Sequence, residues 1–421
     1  MPLSQLTKHA AAGLALTGSL VVCALGAQAK TTLTLSIYSS GTTRPAFEAI
    51  EKAFEAQNPD IDVQLMLFDS GSYNDKLLAM FAAGSGPDVF LTWAQNKTDW
   101  IERGYVADLT DPFKKSKLIN FDMYFPVIRD VMTYKGRVWG TPWGYNGKVW
   151  MVNLDILERD GIAVPPVTWT YQDMLDIAKK TTQPDAGTYG AGLSTDYIGD
   201  IQWLLNWSGH DWLNADRTQM AINDPHHVEL WTLWRNMMDQ YQVTPRKGAS
   251  WLNGNVALQE TWSTELYTMG ASGTTFRWQM QTYPAGPAGQ HDFAQGHLWT
   301  VNANTKQPAA AWRLAEWLGS RNAEQVWADT HRTPPQVPDR ELWNTYYGQL
   351  SAADRAKAID FIDNTLYGQG YAQNFTYWRG FWDMQSIYNE DRARILKGEP
   401  IANVLDDMQT RMSAVLADAN K

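Results

Sequence analysis

Apolar positions in the first third of the chain switch between a period of two and a period near 3.6. "TTLTLSIY" alternates and is β-branched, which predicts a strand from Thr32 to Tyr38, broken by Ser39-Ser40-Gly41. Arg44 to Gln57 then carries Phe47, Ile50 and Phe54 at helical spacing until Asn58-Pro59 stops it. "IDVQLMLF" is a second strand running into the polar loop Asp69-Ser70-Gly71-Ser72. A helix from Tyr73 to Ala83 follows, with Gly84 as its C-cap, and "PDVFLTW" is a third strand. Strand, helix, strand, helix, strand in this order implies an α/β fold with a parallel sheet and helices on its faces. Ligands of such sheets sit outside the carboxyl ends of the strands, here Tyr38-Ser39-Ser40, Asp69-Ser70 and Trp93-Ala94-Gln95-Asn96.

The remainder continues in mixed periods. "VWMVNLDIL" is a strand leading into a short helix, and Thr168 to Lys180 is an amphipathic helix, with Thr168 as N-cap and Trp169, Leu175 and Ala178 inward. "TYGAGLS" is a short strand, "IQWLLNWSG" a helix ended by Gly209, and "HVELWTLWRNMMDQY" another helix with Leu230, Leu233, Trp234 and Met237 on one face. "NVALQETW" reads as a strand or the start of a helix, "QMQTYPAGP" as a strand broken by Pro284, and "GHLWTVNANT" as a strong strand. Pro308 to Ser320 and Glu324 to Asp329 are helical, and the tail is two amphipathic helices hinged at Gly398-Glu399-Pro400. No stretch invites a cut into two sequential domains.

The N-terminus changes the picture. Lys8 leads into "AAAGLALTGSLVVCALGAQA", a small-residue and apolar run ending in Ala27-Gln28-Ala29, the pattern of a secretory signal with A-x-A cleavage. Residues 1–29 are set aside as that signal and the mature chain is expected in the periplasm. A lipoprotein reading of "LVVC" stays open as the alternative, although Val22 is bulky where that pattern wants a small residue. Cys23 is the only cysteine, so cleavage after Ala29 leaves no disulfide, thiolate nucleophile or cysteine metal site. A net charge of −10, without a long acidic run, argues against nucleic acid as a partner. Trp is the compositional outlier: 21 residues, against 18 Tyr and 13 Phe, are more than packing alone accounts for.

The ordered pieces "FEAIEKAFEAQNPDIDVQ", "LLAMFAAGSGPDVF", "GRVWGTPWGYNGKVWMVNLDILERDGI", "PPVTWTYQDMLDIAKK", "TYPAGPAG", "GHLWTVNANTKQPAAAWRLAEWLGS" and "ILKGEPIANVLDDM" together resemble the extracellular solute-binding proteins of ABC importers, specifically those that deliver sugars and oligosaccharides. The resemblance implies two α/β lobes joined by hinge crossings, a carbohydrate ligand in the cleft between them, membrane permease subunits as partners, a monomer, and no cofactor or metal. Lobe 1 is then expected at 30–142 plus 301–334 and lobe 2 at 143–300 plus 335–421. Gly140-Thr141-Pro142 would be a rigid bend at the first crossing, with Trp143 and Tyr145 projecting into the cleft; further crossings fall near Trp299 to Asn302 and Arg332 to Pro335. The resemblance also brings Gly296, His297, Arg332 and Thr333 to the cleft.

A pyranose has faces of C–H groups and edges of hydroxyls, so its site needs flat rings beside fixed polar groups. The chain offers that combination at Tyr38 and Ser40, at Asp69, at Trp93 with Asn96, at Trp143 and Tyr145, at Trp262 with Ser263, and at Trp378 with Arg379. Trp139 and Trp150 fall at strand positions and read as packing. Arg332 and Arg379 keep open a charged sugar derivative or a phosphate ester. An exported glycoside hydrolase is the rival reading, because paired carboxylates in Trp-lined clefts do that chemistry. Asp69, Asp88, Asp196, Glu260, Glu265 and Asp383 are its candidate acids, but spacing singles out no pair. No G-x-S-x-G, H-E-x-x-H or P-loop motif is present, and the seven histidines show no ligand spacing. No catalytic residue is assigned.

Overall fold

Alternation along the first strand sets the sheet. β1 (Thr31–Tyr38) buries Leu33, Leu35 and Ile37 and lies parallel to β2 (Ile61–Phe68) over its whole length, Thr31 opposite Ile61 and Tyr38 opposite Phe68. β3 (Val89–Thr92) pairs in parallel on its other side, Leu35 opposite Val89. The connecting helix Arg44–Gln57 turns Phe47, Ile50 and Phe54 onto this sheet; burying each such side chain is worth about 1.5–3 kcal/mol. The structure is a computed structural model, describing residues 30–39, 43–244, 250–368, 372–374 and 377–419. Residues 1–29, the expected signal with Cys23, and Ser40 lie outside the described residues.

Three boundaries differ from the pattern. The second helix is Ser70–Ala82, starting earlier than Tyr73 because Asp69 takes the extended N-cap conformation. Gln95 and Asn96 sit in the first turn of helix Ala94–Glu102, not in a strand-end loop. The helix expected from Thr168 is Tyr171–Thr181, capped by Thr170: its hydroxyl accepts from the Asp173 N–H while the Asp173 carboxylate takes the Thr170 N–H, a reciprocal pair that Thr168 lacks.

After the small antiparallel ribbon of β4 (Thr133–Tyr134) and β5 (Arg137–Val138) comes β6 (Thr141–Asn153), 13 residues long. With β7 (Tyr189–Gly192), β8 (Val256–Trp262), β9 (Trp278–Gln281), β10 (Asp292–Val301) and β11 (Ala372–Asn374), the sheet runs β2-β1-β3-β10-β6-β8-β7, with β9 on β6 and β11 on β10. β6 and β10 serve both halves. The start of β6 pairs with β10, Thr141 opposite Trp299, and its end pairs with β8 and β9, Val152 opposite Leu258 and Gln279. β10 in turn meets β11 with its first residues and β3 with its last. Thr141-Pro142 is therefore strand and not the expected bend; Pro142, near the strand start, stays in register opposite Leu298. The irregularity lies instead in β10, where the register shifts between Gln295 and His297. Gly296 occupies that bulge, and a Cβ there would stand 2.7 Å from Cδ2 of Tyr145.

The period of two on β6 divides the core. Val149 and Met151 join an apolar cluster that runs from β1–β3 to Trp343 and Ile359, while Trp150 and Val152 face a second cluster reaching Met408 and Leu416 in the C-terminal helix Ile401–Ala419. Helix Pro308–Leu318 packs on β1, β3, β6 and β10. Helix Arg340–Tyr346 packs on Arg321–Asp329, so apolar contact with the first half continues past residue 334. Among the described residues no helix is long and apolar enough to cross a membrane.

Candidate functional site

A cavity of about 710 Å³ opens where β6 and β10 pass between the halves of the sheet. The first half contributes Tyr38, Trp143, Arg332 and Thr333, the crossing strands Asn146, Gln295 and His297, and the opposite wall Thr264, Glu265 and Tyr267. A second cavity of about 780 Å³ lies beyond Trp93, lined by Ser70, Asn74, Asn96, Asp99, Arg379 and Trp382 among others.

Rings build the wall between them. Tyr38 at the end of β1 meets Trp93 edge-on at 5.3 Å and Trp143 edge-on at 6.1 Å, and Trp93 stacks on Tyr73 at 5.7 Å. Trp143 lines the cavity yet is only 3 % exposed, because Trp299, Trp327 and His297 close round it. Tyr145 is not in the cleft. One residue beyond Gly144, whose φ is +64°, its ring packs on Tyr367 and Gly296, and its N–H donates to Oε1 of Gln336 at 2.9 Å.

The other candidates separate. Arg332 and His297 line the first cavity; Trp93, Asn96 and Arg379 line the second. Gly296 is the bulge behind His297, and Ser263 is buried, donating to Oδ1 of Asn146 at 2.7 Å and so orienting a cavity amide. Trp262 lies against Phe293 with Nζ of Lys148 over its ring at 5.2 Å, lining neither cavity. Trp378 is buried against Phe381, and Asp69 is an exposed helix start. Of the candidate acids, Asp88 accepts from Thr34 and Thr305, Asp196 pairs with Arg392, and Glu260 pairs with Lys148. Glu265 and Asp383 line different cavities.

Sequence patterns gave no sign of two polar assemblies. Gln95 Nε2 donates to the Tyr197 hydroxyl at 2.8 Å, Tyr197 to Tyr377 at 2.8 Å, and Tyr377 to Oε1 of Gln295 at 2.5 Å, and a second contact of Gln95 Nε2, to Oε1 of Gln295 at 3.3 Å, closes a ring of bonds across the two halves. Trp382 Nε1 adds a bond to Oδ1 of Asn96 at 2.8 Å, and Arg379 meets Asp99 at 3.4 Å. Beneath them Nζ of Lys148 donates to Asp200 and Glu260, each at 2.6 Å, fully inside the protein. Only spacing in three dimensions reveals either set, since the members of the first come from four separate segments and those of the second from three. The fold likewise brings His210, Asp224 and His226 together, their ligand atoms within 4.8 Å of one another, where the sequence shows no ligand spacing.

Electrostatics single out one cation. Burial first, and then Arg332, hold the His297 imidazole down to about 4, so it is neutral, and its Nδ1 accepts the Ala94 N–H at 3.1 Å. Burial raises the Glu265 carboxyl above its ordinary range. The Arg332 guanidinium rests over Trp143, Phe47 and Tyr38 at 5.2, 5.6 and 5.8 Å.

Residues 49–378 match the bacterial extracellular solute-binding protein family. The chain belongs to that family. A Brucella abortus binding protein is 26% identical over 409 residues, covering 91% of this chain and 92% of its own. The melibiose/raffinose/stachyose-binding protein MelE of Bacillus subtilis is 31% identical over 200 residues, 47% of this chain and 42% of its own. Among solved structures, the substrate-binding protein Lmo0181 of Listeria monocytogenes, in complex with cycloalternan, superposes with a TM-score of 0.77 at 21% identity, over 92% of this chain and 99% of its own. A solute-binding protein of Agrobacterium radiobacter K84 in complex with ribitol gives 0.71 at 22% identity, over 92% and 99%. These neighbours share the two-lobed fold of this solute-binding chain.

Proposed function

We propose that this solute-binding protein captures a sugar or short oligosaccharide in the cavity between its lobes and delivers it to the permease of an ABC importer. The observation that carries the reading is the ring-walled cavity at the crossing of β6 and β10, where Tyr38, Trp143 and Tyr267 stand beside Asn146, Gln295 and His297. Rings cover the C–H faces of a pyranose and fixed polar groups satisfy its hydroxyls. The relatives named for melibiose, raffinose and stachyose and the neighbours holding cycloalternan and ribitol support the same ligand class. The lobes divide near the midpoint of β6, the mature chain works in the periplasm after removal of residues 1–29, and it acts as a monomer without catalysis.

Closure is the mechanism. Lobes joined through β6, β10 and the segment after helix Arg321–Asp329 hinge, and a ligand touching both walls favours the closed state by its differential affinity. Thermal-shift screening against mono- and oligosaccharides tests the reading: a ligand at a hundred times its Kd stabilises by about 2.7 kcal/mol. A panel without a single shift refutes it, and release of monosaccharide from a bound glycoside refutes the assignment as a non-enzyme.

A further inference from the structure

We infer that the sugar this cleft accepts carries an acidic substituent, a carboxylate, sulfonate or phosphate ester, seated on the guanidinium of Arg332; the inference rests on the sugar-binding reading above. Most arginines of the described residues meet carboxylates, as Arg277 meets Asp155 and Arg394 meets Asp391 and Asp407, while Arg235 reaches only the Glu399 carbonyl. Arg332 meets none among the described residues. Among the described residues the guanidinium makes one hydrogen bond, from Nη2 to the Tyr38 hydroxyl at 3.4 Å, and its Nε is buried without an acceptor. A guanidinium has five N–H donors in a planar fork that matches an oxyanion. Here nearly all of them are unspent.

The side chain is also held in place for that task. His331, immediately before it, has a φ of +51°, a left-handed conformation uncommon outside glycine. It is pinned there by stacking on Tyr267 at 5.3 Å and by Nδ1 contact with the Tyr346 carbonyl at 2.8 Å. The turn delivers Arg332 back over the rings of Trp143, Phe47 and Tyr38, which fix the cation without neutralising it. Strained backbone kept by its surroundings is typical of ligand clamps.

The cavity's charges agree. Arg332 is its only lysine or arginine among the described lining residues, and Glu265 its only carboxylate. Burial alone raises the Glu265 carboxyl above its ordinary range. A neutral sugar would spend hydrogen bonds on Arg332 but leave its charge uncompensated once the lobes shut, which is costly in a desolvated site. An oxyanion removes that cost.

Calorimetric titration of the full mature chain with matched pairs tests the inference: glucose against glucuronate, glucose 6-phosphate and 6-deoxy-6-sulfoglucose, and galactose against galacturonate. The acidic member of a bound pair is expected to bind about 10- to 100-fold more tightly, the range of a charge-assisted hydrogen bond. Arg332→Gln should erase that difference, weakening the acidic member far more than the neutral one, and Arg332→Lys, which keeps the charge without the fork, should retain part of it. A neutral sugar bound as tightly as its acidic partners, or Arg332→Gln weakening both members equally, overturns the inference and leaves the sugar reading standing. Binding by no member of any pair, in a chain that the mono- and oligosaccharide panel also fails to stabilise, overturns both. Melting curves of Arg332→Lys alongside show whether any loss is unfolding.

Discussion

Lys148→Met should cost about as much stability as removing a whole buried ring, although it takes away almost no volume. The Lys148 side chain is 2 % exposed, with Asp200 and Glu260 at 2.6 Å and side-chain exposures of 5 % and 0 %. Burial opposes its charge, yet the two carboxylates raise its pKa above the ordinary lysine range, and burial raises that of Glu260. Ser194 and Tyr283 complete the set, the Tyr283 hydroxyl donating to Oε1 of Glu260 at 2.5 Å. Methionine keeps the volume of the stem and removes the charge, leaving two buried carboxylates with no cation. Breaking a buried pair in this way costs about 3–5 kcal/mol, and at about 2 °C per kcal/mol for a large domain the melting temperature should fall by about 6–10 °C. The pH dependence identifies the cause. In the variant Glu260 must fold protonated although it ionises near 4.3 when unfolded, so folding takes up a proton and stability falls by about 1.4 kcal/mol per pH unit above that value, until the raised folded pKa is passed. Scanning calorimetry at several pH values reads both effects, and adding Glu260→Gln should remove the extra slope. A variant melting within about 2 °C of the wild type, with the same pH dependence, would refute the account of this cluster.

Trp143→Ala should weaken sugar binding at least about tenfold and also lower stability by about 3–5 kcal/mol, since its ring lines the cavity while closing the packing of Trp299 and Trp327; titration and melting of one sample read both, and an unchanged melt would show that the packing is not needed. Trp382→Phe removes the bond to Asn96 between the halves, worth about 0.5–1.5 kcal/mol, and should enlarge the radius of gyration of the unliganded chain in small-angle scattering. Asp292 is buried, with Oδ2 unpartnered, and burial pushes its carboxyl up to about 8. Its neutral form therefore adds stability that is complete below the unfolded value near 3.9 and is lost as pH rises to about 8. Asp292→Asn, retaining an acceptor for the Tyr283 N–H, should flatten the decline of melting temperature over that window.

Local pattern carried the first half of the sheet because β1, β2 and β3 follow one another with one helix between each pair, so periodicity and topology coincide. It carried much less of the second half. Helices Pro126–Met132 and Glu265–Ser272 are too short for an apolar face to repeat, and the π-helical turn Ile362–Leu366 extends Ala352–Phe361 in a way no period announces. The start of β6 read as a bend because glycine and proline are local punctuation, whereas pairing with β10 and then with β8 and β9 keeps Thr141–Asn153 one strand, interrupted at Gly144, whose φ is +64°. The same limit applies to the cleft. Tyr38 and Trp93 were legible because strand ends are predictable positions, but Tyr145, two residues from Trp143, goes to the opposite side, into contact with Tyr367 and Gly296. Gln95, Tyr197, Gln295 and Tyr377 carry no signal until the fold joins them.

That ring of bonds divides the work inside the cleft. Gln95, Tyr197, Tyr377 and Gln295 bond to one another across the lobes, although Oε1 of Gln95 is buried without a partner, so they favour closure whether or not a sugar is present, each bond adding about 0.5–1.5 kcal/mol. A ligand that had to break them would lose much of what it gained. Arg332, with its buried Nε lacking an acceptor, and Trp143 and Thr333, each with a buried polar atom unpartnered, lie together in the first cavity. Affinity should therefore come from the Arg332 end of the cleft, where unspent donors are concentrated, and the bias toward the closed form from the Gln95 end. Since a ligand shifts the lobes only by its differential affinity, substitutions at the Gln95 end should change the unliganded shape more than ligand selectivity, and substitutions at Arg332 the reverse.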